Sequence, residues 1–163
     1  MMKAAVVKLI IHILEEALEQ AIRAADQAHE TATHSDNKAE NKYDTLGLEA
    51  AYLAHGQSQR VEDCEKELAA FKKLPLNTKT VDIQIASIAV LIDENDIESL
   101  VFLGPGAAGL KVIVEKDEHK GKEVIVITTA SPLGQALLGK SLNDEIELKI
   151  GEKLKIYEVV GLY

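Results

Sequence analysis

Apolar residues in the first part of the chain recur at alternating steps of three and four. This spacing places them on one face of an α-helix and is typical of a coiled-coil seam. The first seam contains Ile11, Leu14, Leu18, Ala21, Ala25, Ala28 and Ala32. Because its side chains shrink from leucine to alanine, we expect a partner helix to approach most closely toward the far end.

A second stretch carries a similar seam with the opposite gradient of side-chain size. It contains Leu46, Ala50, Leu53, Gln57, Val61, Cys64, Leu68 and Phe71, with one extra residue between Gln57 and Val61. Between the two seams, Thr33–Lys42 has no apolar residue except Ala39, which predicts a turn. The pattern predicts an antiparallel helical hairpin with arms of about 30 residues and about 45 Å. A dimerising coiled coil, with the two arms in separate dimers, is the alternative.

After Pro75 the hydrophobic period changes to two, which is typical of β-strands. The predicted strands cover residues 81–85, 88–92, 98–103, 112–114, 124–127, 146–150 and 155–160. One helical stretch, Ala130–Gly139, interrupts them, with Ser131 as its predicted N-cap and Pro132 at the first helical position. The sequence therefore predicts an α+β protein. An antiparallel coiled-coil hairpin over residues 1–74 precedes a small antiparallel β domain with one short helix over residues 81–163.

Composition and charge exclude several classes of function. The chain has 163 residues and a net charge of −9, so it lacks the excess of positive charge with which an independent DNA- or RNA-binding protein neutralises phosphates. No apolar run reaches the ~20 residues of a membrane span. Glu15 and Glu16 follow the apolar segment Ala4–Leu14, where a signal peptide has a small-residue cleavage site. Cys64 is the only cysteine, and we expect a cytoplasmic protein that does not contact a membrane.

No other local motif predicts a catalytic or metal site by itself. The histidines near the predicted turn, His29, His34 and His55, lack the spacing of a zinc site. Cys64 lies on the second seam, where a small core residue is the simpler interpretation. The segment Gly104–Gly109 is glycine-rich but has no Gly-Lys-Ser/Thr sequence, so we interpret it as a hairpin turn and not as a phosphate-binding loop.

A short signature near the end of the chain is more informative. Residues 130–140 read Ala-Ser-Pro-Leu-Gly-Gln-Ala-Leu-Leu-Gly-Lys, and Asp144, Tyr157-Glu158-Val159 and Tyr163 follow. This pattern resembles the C-terminal signature of the bacterial Gre transcript-cleavage factors (GreA/GreB). The resemblance implies an FKBP-like fold for the C-terminal domain and RNA polymerase as the partner, with docking at the rim of the polymerase secondary channel. We expect that contact to centre on Ser131, Pro132 and Leu133, because an interface needs a small desolvated apolar core.

The resemblance also implies a chemical role for the hairpin tip. In the family, carboxylates at the tip help to hold the second Mg²⁺ that drives hydrolysis of a backtracked transcript. This sequence has Ser35-Asp36-Asn37-Lys38-Ala39-Glu40-Asn41-Lys42-Tyr43-Asp44 at the same place. The implied catalytic residues are Asp36, Glu40 and Asp44, and the implied Mg²⁺ ligands are Asp36 and Glu40. Asp36 lies four residues before Glu40 where the family has three, and Lys42 replaces a family glutamate, so we expect a divergent paralogue.

The chemistry of these carboxylates points in the same direction. Mg²⁺ prefers hard oxygen ligands and keeps most of its waters, so two carboxylates on a solvated turn form only a weak site. Two metal ions about 4 Å apart stabilise the attacking and leaving oxygens of a phosphodiester displacement. We therefore expect Mg²⁺ to bind only in the complex, shared with the polymerase. The alternative is structural: Asp36 caps the second helix, Glu40 completes a capping box and Asp44 is a solvated charge.

The leading hypothesis is a transcription elongation factor that enters the polymerase secondary channel and modulates backtracked or paused complexes, with or without stimulated transcript cleavage. It contacts the nascent RNA 3′ end only through the polymerase, has no independent active site and is expected to be a monomer. The alternatives are a non-catalytic regulator that occupies the channel, a prolyl isomerase or chaperone module, and a coiled-coil adaptor. The isomerase is disfavoured because Phe102, Tyr157 and Tyr163 are the only aromatic residues available to line its pocket.

Overall fold

Two long helices come first in the chain, and a sheet with a short third helix follows. The computed structural model describes residues 2–34, 45–76, 81–115 and 118–163. The helices are α1 (Met2–Thr33), α2 (Leu46–Lys72) and α3 (Pro132–Leu137). The strands are β1 (Ile88–Asp93), β2 (Glu98–Leu103), β3 (Lys111–Ile113), β4 (Glu123–Ile127), β5 (Glu145–Ile150) and β6 (Lys153–Leu162). The predicted fold class, a helical hairpin followed by a β domain with one short helix, is confirmed.

The chain divides into two compact units. The helical unit is His12–Ala69, and the sheet unit contains the chain up to Ile11 together with Ala70–Tyr163. The sheet unit therefore includes the first turns of α1 and the end of α2. The predicted domains, 1–74 and 81–163, follow the change of sequence period instead, and their boundaries stay a prediction.

The seam of α1 is covered along its length in the helical unit. Leu14, Ala21 and Ala28 are buried, while Leu18, Ala25 and Ala32 are half-buried. This confirms the spacing predicted from the sequence. In the part of the chain that the structure describes, no helix is both long and apolar enough to span a membrane.

The seam of α2 is less well covered toward its N-terminal end. Leu46 and Leu53 are 55% and 57% exposed, so the prediction is wrong at these two positions. A groove of about 200 Å³ lies between the helices, lined by Ala24, Gln27, Ala28, Thr31, Ala50, Leu53 and Gln57. Short alanine side chains line much of this groove, and the closer helix approach expected toward this end stays a prediction.

The described strands form one sheet in the order β3-β4-β2-β1-β6-β5. Neighbouring strands are antiparallel except for β2 and β4, which are parallel. This pair differs from the antiparallel sheet that we expected. The chain passes through β3, on the outer side of β4, before it enters β4, and a connection of this length allows a parallel neighbour.

The predicted strand over residues 81–85 is not a strand. Only Asp82 forms a bridge, with Ser141. Ile83 is buried, its N–H donates to the Lys140 carbonyl (2.7 Å), and its carbonyl accepts from the Gly139 N–H (2.8 Å). The apolar alternation therefore reflects one buried side chain beside the loop after α3.

Both faces of the central strands β1 and β2 carry buried side chains. One face carries the cluster Ile83, Ala89, Leu91, Val101, Leu103, Leu137, Ile146 and Val159. On the other face, the ring of Phe102 stacks on that of Phe71 in α2, with centroids 6.1 Å apart. A Cβ at Gly104 would lie 3.1 Å from Phe71 Cζ and 2.9 Å from Val126 Cγ1, so this glycine makes room for the stacked rings. Buried side chains at the start of α1 belong to the same unit: Met2, Val6, Val7 and Ile10.

We predict that Phe71→Ala lowers the free energy of unfolding by about 3–5 kcal/mol, because it removes a buried ring from the sheet and leaves a cavity. Urea unfolding followed by circular dichroism measures the loss. Leu53→Ala is the control, and since Leu53 is exposed its effect should stay within about 0.5 kcal/mol. Equal losses in the two variants would contradict the central role of Phe71.

Candidate functional site

The turn that begins α3 is held by the side chain of Ser131. Ser131 Oγ accepts from the Gly134 N–H (3.0 Å) and donates to the Thr128 carbonyl (2.8 Å). Ser131 has the extended backbone of an N-cap (φ −82°, ψ 149°), and Pro132 follows at the start of the helix. The predicted roles of these two residues in the helix are confirmed.

Gly134 fixes how closely this turn packs on the preceding strand end. A Cβ at Gly134 would lie 2.0 Å from the Thr128 carbonyl oxygen, a distance that no side chain permits. The glycine of the signature is therefore required by close backbone approach. At the other end of α3, Gly139 has φ +78°, a conformation that glycine adopts without strain.

The acidic turn of the signature is also structural. Asp144 Oδ2 accepts from the Ser141 N–H (2.8 Å), and the Asp144 carbonyl accepts from the Val159 N–H (3.0 Å). Asn143 between them has φ +68° and donates its N–H to the Val159 carbonyl (2.8 Å). These bonds set the start of β5 beside β6.

Several apolar side chains in and after α3 lie at the surface or are only partly buried. Pro132 is exposed, whereas Leu133 is half-buried and packs against the core cluster below α3. Leu138 and Leu142 are 49% and 50% exposed. We call Pro132, Leu133, Leu138 and Leu142 the α3 surface. The sequence did not identify Leu138 and Leu142 as surface residues. Apolar residues close to a buried one such as Leu137 are usually interpreted as part of the core.

The predicted tip residues Asp36, Glu40 and Asp44 lie outside the described residues, so their arrangement stays a prediction. The described part of α2 begins beside Thr45, whose carbonyl accepts from the Glu49 N–H (2.9 Å). Across the described ranges, no group of three His, Cys, Asp or Glu side chains is arranged to hold a metal ion.

Sequence reasoning also missed a polar cluster around the last residue. His119 is buried, with Nε2 3.2 Å from the Tyr163 hydroxyl and Nδ1 3.4 Å from Glu98 Oε1. The Tyr163 hydroxyl donates to Glu118. This hydrogen bond, with burial and then the negative charges of Glu118 and Glu98, raises the pKa of Tyr163 to about 12. The cluster joins the loop before β4 to the end of β6 and has no sequence motif that would have revealed it.

We predict a pH-dependent stability from Tyr163. Its folded pKa lies above the unfolded value of about 10, so its contribution is complete below pH ~10 and is lost as the pH rises to about 12. Comparing unfolding of the wild type and Tyr163→Phe across this range measures the effect. Glu118→Gln should lower the pKa of Tyr163, as followed by phenolate absorbance. An unchanged pKa in that variant would show that Glu118 is not its main cause.

Comparisons with known proteins agree with the signature. The family model "Transcription elongation factor, GreA/GreB, C-term" matches residues 111–163. A transcription elongation factor GreA from Desulfovibrio desulfuricans is 28% identical over 73% of this chain and 68% of its own length. Another GreA, from Syntrophotalea carbinolica, is 46% identical over 29% of this chain and 28% of its own length. A third, from Syntrophus aciditrophicus, is 27% identical over 77% of this chain and 70% of its own.

Solved structures of the transcription factor Gfh1 are also similar. One is 22% identical with a TM-score of 0.39, and the alignment covers 94% of this chain and 92% of that one. GreA factor homolog 1 (Gfh1) of Thermus thermophilus is 21% identical with a TM-score of 0.37, over 94% of each chain. These TM-scores are too low to support an argument, so the fold assignment rests on the described helices and strands.

Proposed function

We propose that this chain acts as an elongation factor on RNA polymerase. The GreA/GreB family model matches residues 111–163, and GreA relatives align with most of the chain. The chain is therefore a divergent member of the GreA/GreB family. Under this proposal it binds through the secondary channel and modulates backtracked or paused complexes. The net charge of −9 supports a protein partner, because the chain lacks the positive charge for independent RNA binding. The RNA 3′ end is then reached only through the polymerase.

The α3 surface is the observation that supports docking. Its turn is rigid, since Ser131 caps α3 and Gly134 packs directly on Thr128. A rigid turn presents apolar side chains without a large loss of conformational entropy on binding. Leu138 and Leu142 add exposed apolar side chains after α3 to the predicted contact residues Ser131, Pro132 and Leu133. Exposed apolar side chains of this kind suit the desolvated centre of a protein interface.

The chemistry is proposed for the tip. Asp36 and Glu40 would hold a Mg²⁺ that the polymerase also binds, with Asp44 on the same helical face if helix continues through the turn. The four-residue spacing between Asp36 and Glu40 displaces one carboxylate from the family arrangement. A misplacement of about 1 Å costs on the order of a hundredfold in rate. We therefore propose weak or absent cleavage, and occupancy of the channel without chemistry is the second candidate.

We predict that Leu138→Asp and Leu142→Asp each weaken binding to core RNA polymerase by more than about tenfold, because a charge replaces an apolar contact. Both leucines are half-exposed, so the free energy of unfolding should change by no more than about 0.5 kcal/mol. Leu133→Asp should lose both binding and stability, since Leu133 packs on the core.

Binding is measured by titrating labelled core polymerase, with thermal unfolding in parallel. Leu154→Asp is the matched control, because Leu154 is 52% exposed on β6 and lies outside the α3 surface. Unchanged binding in both the Leu138 and Leu142 variants would remove the α3 surface as the docking site.

We predict that Asn37→Asp increases transcript cleavage, because it restores a carboxylate three residues before Glu40. A backtracked elongation complex with Mg²⁺ is the assay, and shortened RNA 3′ ends are the readout. Glu40→Ala should abolish any cleavage while leaving docking unchanged. Intact transcripts with Asn37→Asp at saturating protein would favour the non-catalytic role. Loss of a strong wild-type activity in Asp36→Asn would show that the four-residue spacing is functional.

A further inference from the structure

The strand β5 lies at one edge of the sheet. It pairs with β6 over its whole length, from Glu145 opposite Glu158 to Ile150 opposite Lys153. Its other side has no strand beside it among the described residues. An edge of six residues leaves a row of backbone N–H and C=O groups that can pair with another extended chain.

The side chains of β5 alternate between the two faces of the sheet. Glu145, Glu147 and Lys149 are exposed on one face. Ile146 is buried and Leu148 is half-buried on the other. The strand thus carries charges of both signs on one face and a partly uncovered apolar residue on the other.

This charge pattern is complementary to itself in one antiparallel register. When two copies of β5 pair about Leu148, Glu147 of each copy lies opposite Lys149 of the other, and Leu148 lies opposite Leu148. Opposite charges in directly facing positions stabilise a strand pair, and like charges destabilise it. In this register even-numbered residues of one copy face even-numbered residues of the other. The buried faces of the two sheets therefore lie on the same side of the joined sheet.

The neighbouring registers bring like charges together. Pairing about Lys149 sets that lysine opposite itself. Pairing about Glu147 sets that glutamate opposite itself, although Glu145 then faces Lys149. Pairing about Ile146 sets Glu145 opposite Glu147. Of these registers, only the one centred on Leu148 has facing opposite charges and no facing like charges within β5, so the sequence favours it.

Apolar side chains lie next to the same edge. The helix α3 packs against β5. Leu138 follows α3, Leu142 comes three residues before β5, and both are about half-exposed. A second copy along β5 has apolar surface beside the strand to contact, in addition to the backbone groups.

We propose that two copies of this chain associate through β5, antiparallel and centred on Leu148, to form one continuous sheet. This goes beyond the proposed function and differs from the monomer expected from the sequence. Because the α3 surface adjoins β5, the dimer and the docked polymerase compete for neighbouring surface. A lysine on an edge strand can instead protect it from such pairing, and the experiment separates these two roles.

The experiment is sedimentation velocity of the full chain over a concentration range up to about 200 µM, without polymerase. The wild type should show a concentration-dependent dimer. Glu147→Lys and Lys149→Glu each replace facing opposite charges with like charges, so each should raise the dissociation constant more than about tenfold. The double variant Glu147→Lys with Lys149→Glu re-creates the facing pairs and should restore the dimer.

Lys8→Glu makes the same change of charge at an exposed position in α1 and should leave association unchanged. Amide hydrogen exchange is the second measurement: protection of β5 should rise with concentration in the wild type and not in the single variants.

A monomer at every concentration, a dimer insensitive to the single variants, or no rescue in the double variant would each overturn the proposal. Increased association of Lys149→Glu would assign Lys149 the protective role. None of these outcomes depends on polymerase binding, so the proposed function stands or fails separately.

Discussion

The burial of both faces of the central strands β1 and β2 is the constraint on which the rest of the sheet unit depends. The first residues of β1 are buried on alternate faces, with Ala89 and Leu91 on one side and Ile88 and Val90 on the other. A strand of this composition needs a cover on each side. Leu137 of α3 contributes to one cover, while Phe71 at the end of α2 contributes to the other. This is why the end of a long helix belongs to the same compact unit as the strands.

The signature that carries the family resemblance is first a folding motif. Ser131 caps a helix, Gly134 admits a backbone contact, and Asp144 holds the N–H of Ser141. Each of these roles is satisfied inside the domain and needs no partner. Under the proposed function, what this segment offers a partner is its exposed apolar side chains, above all Leu138 after α3 and Leu142 before β5. These contacts establish the turn itself, whereas docking through it is a proposal.

Much of the fold could be predicted from the sequence because helix and strand periods are local. The α1 seam, the cap of α3 and most strands follow from spacing alone. Contacts between distant segments could not be predicted in the same way. Ile83 lies in an alternating pattern typical of a strand, but its backbone forms hydrogen bonds with the loop after α3. His119 contacts Glu98 and Tyr163, which are far from each other in the sequence. For the candidate site, the sequence predicted the turn at Ser131. It did not predict the exposure of Leu138, because that exposure depends on where α3 ends.

Under the proposed function, docking and chemistry belong to different parts of the chain, so the two can change independently. The α3 surface belongs to the sheet unit and is fixed by backbone contacts such as Gly134 on Thr128. The proposed tip carboxylates, Asp36 and Glu40, lie in the sequence between the two helical seams, where Ala39 is the only apolar residue of 33–42. This composition predicts that a shift of one residue there costs little folding stability, whereas a side chain at Gly134 would clash with the Thr128 carbonyl. Under the proposed function, the catalytic spacing can drift while the polymerase-binding surface is retained, and a regulator that occupies the channel without chemistry is the expected end of that drift.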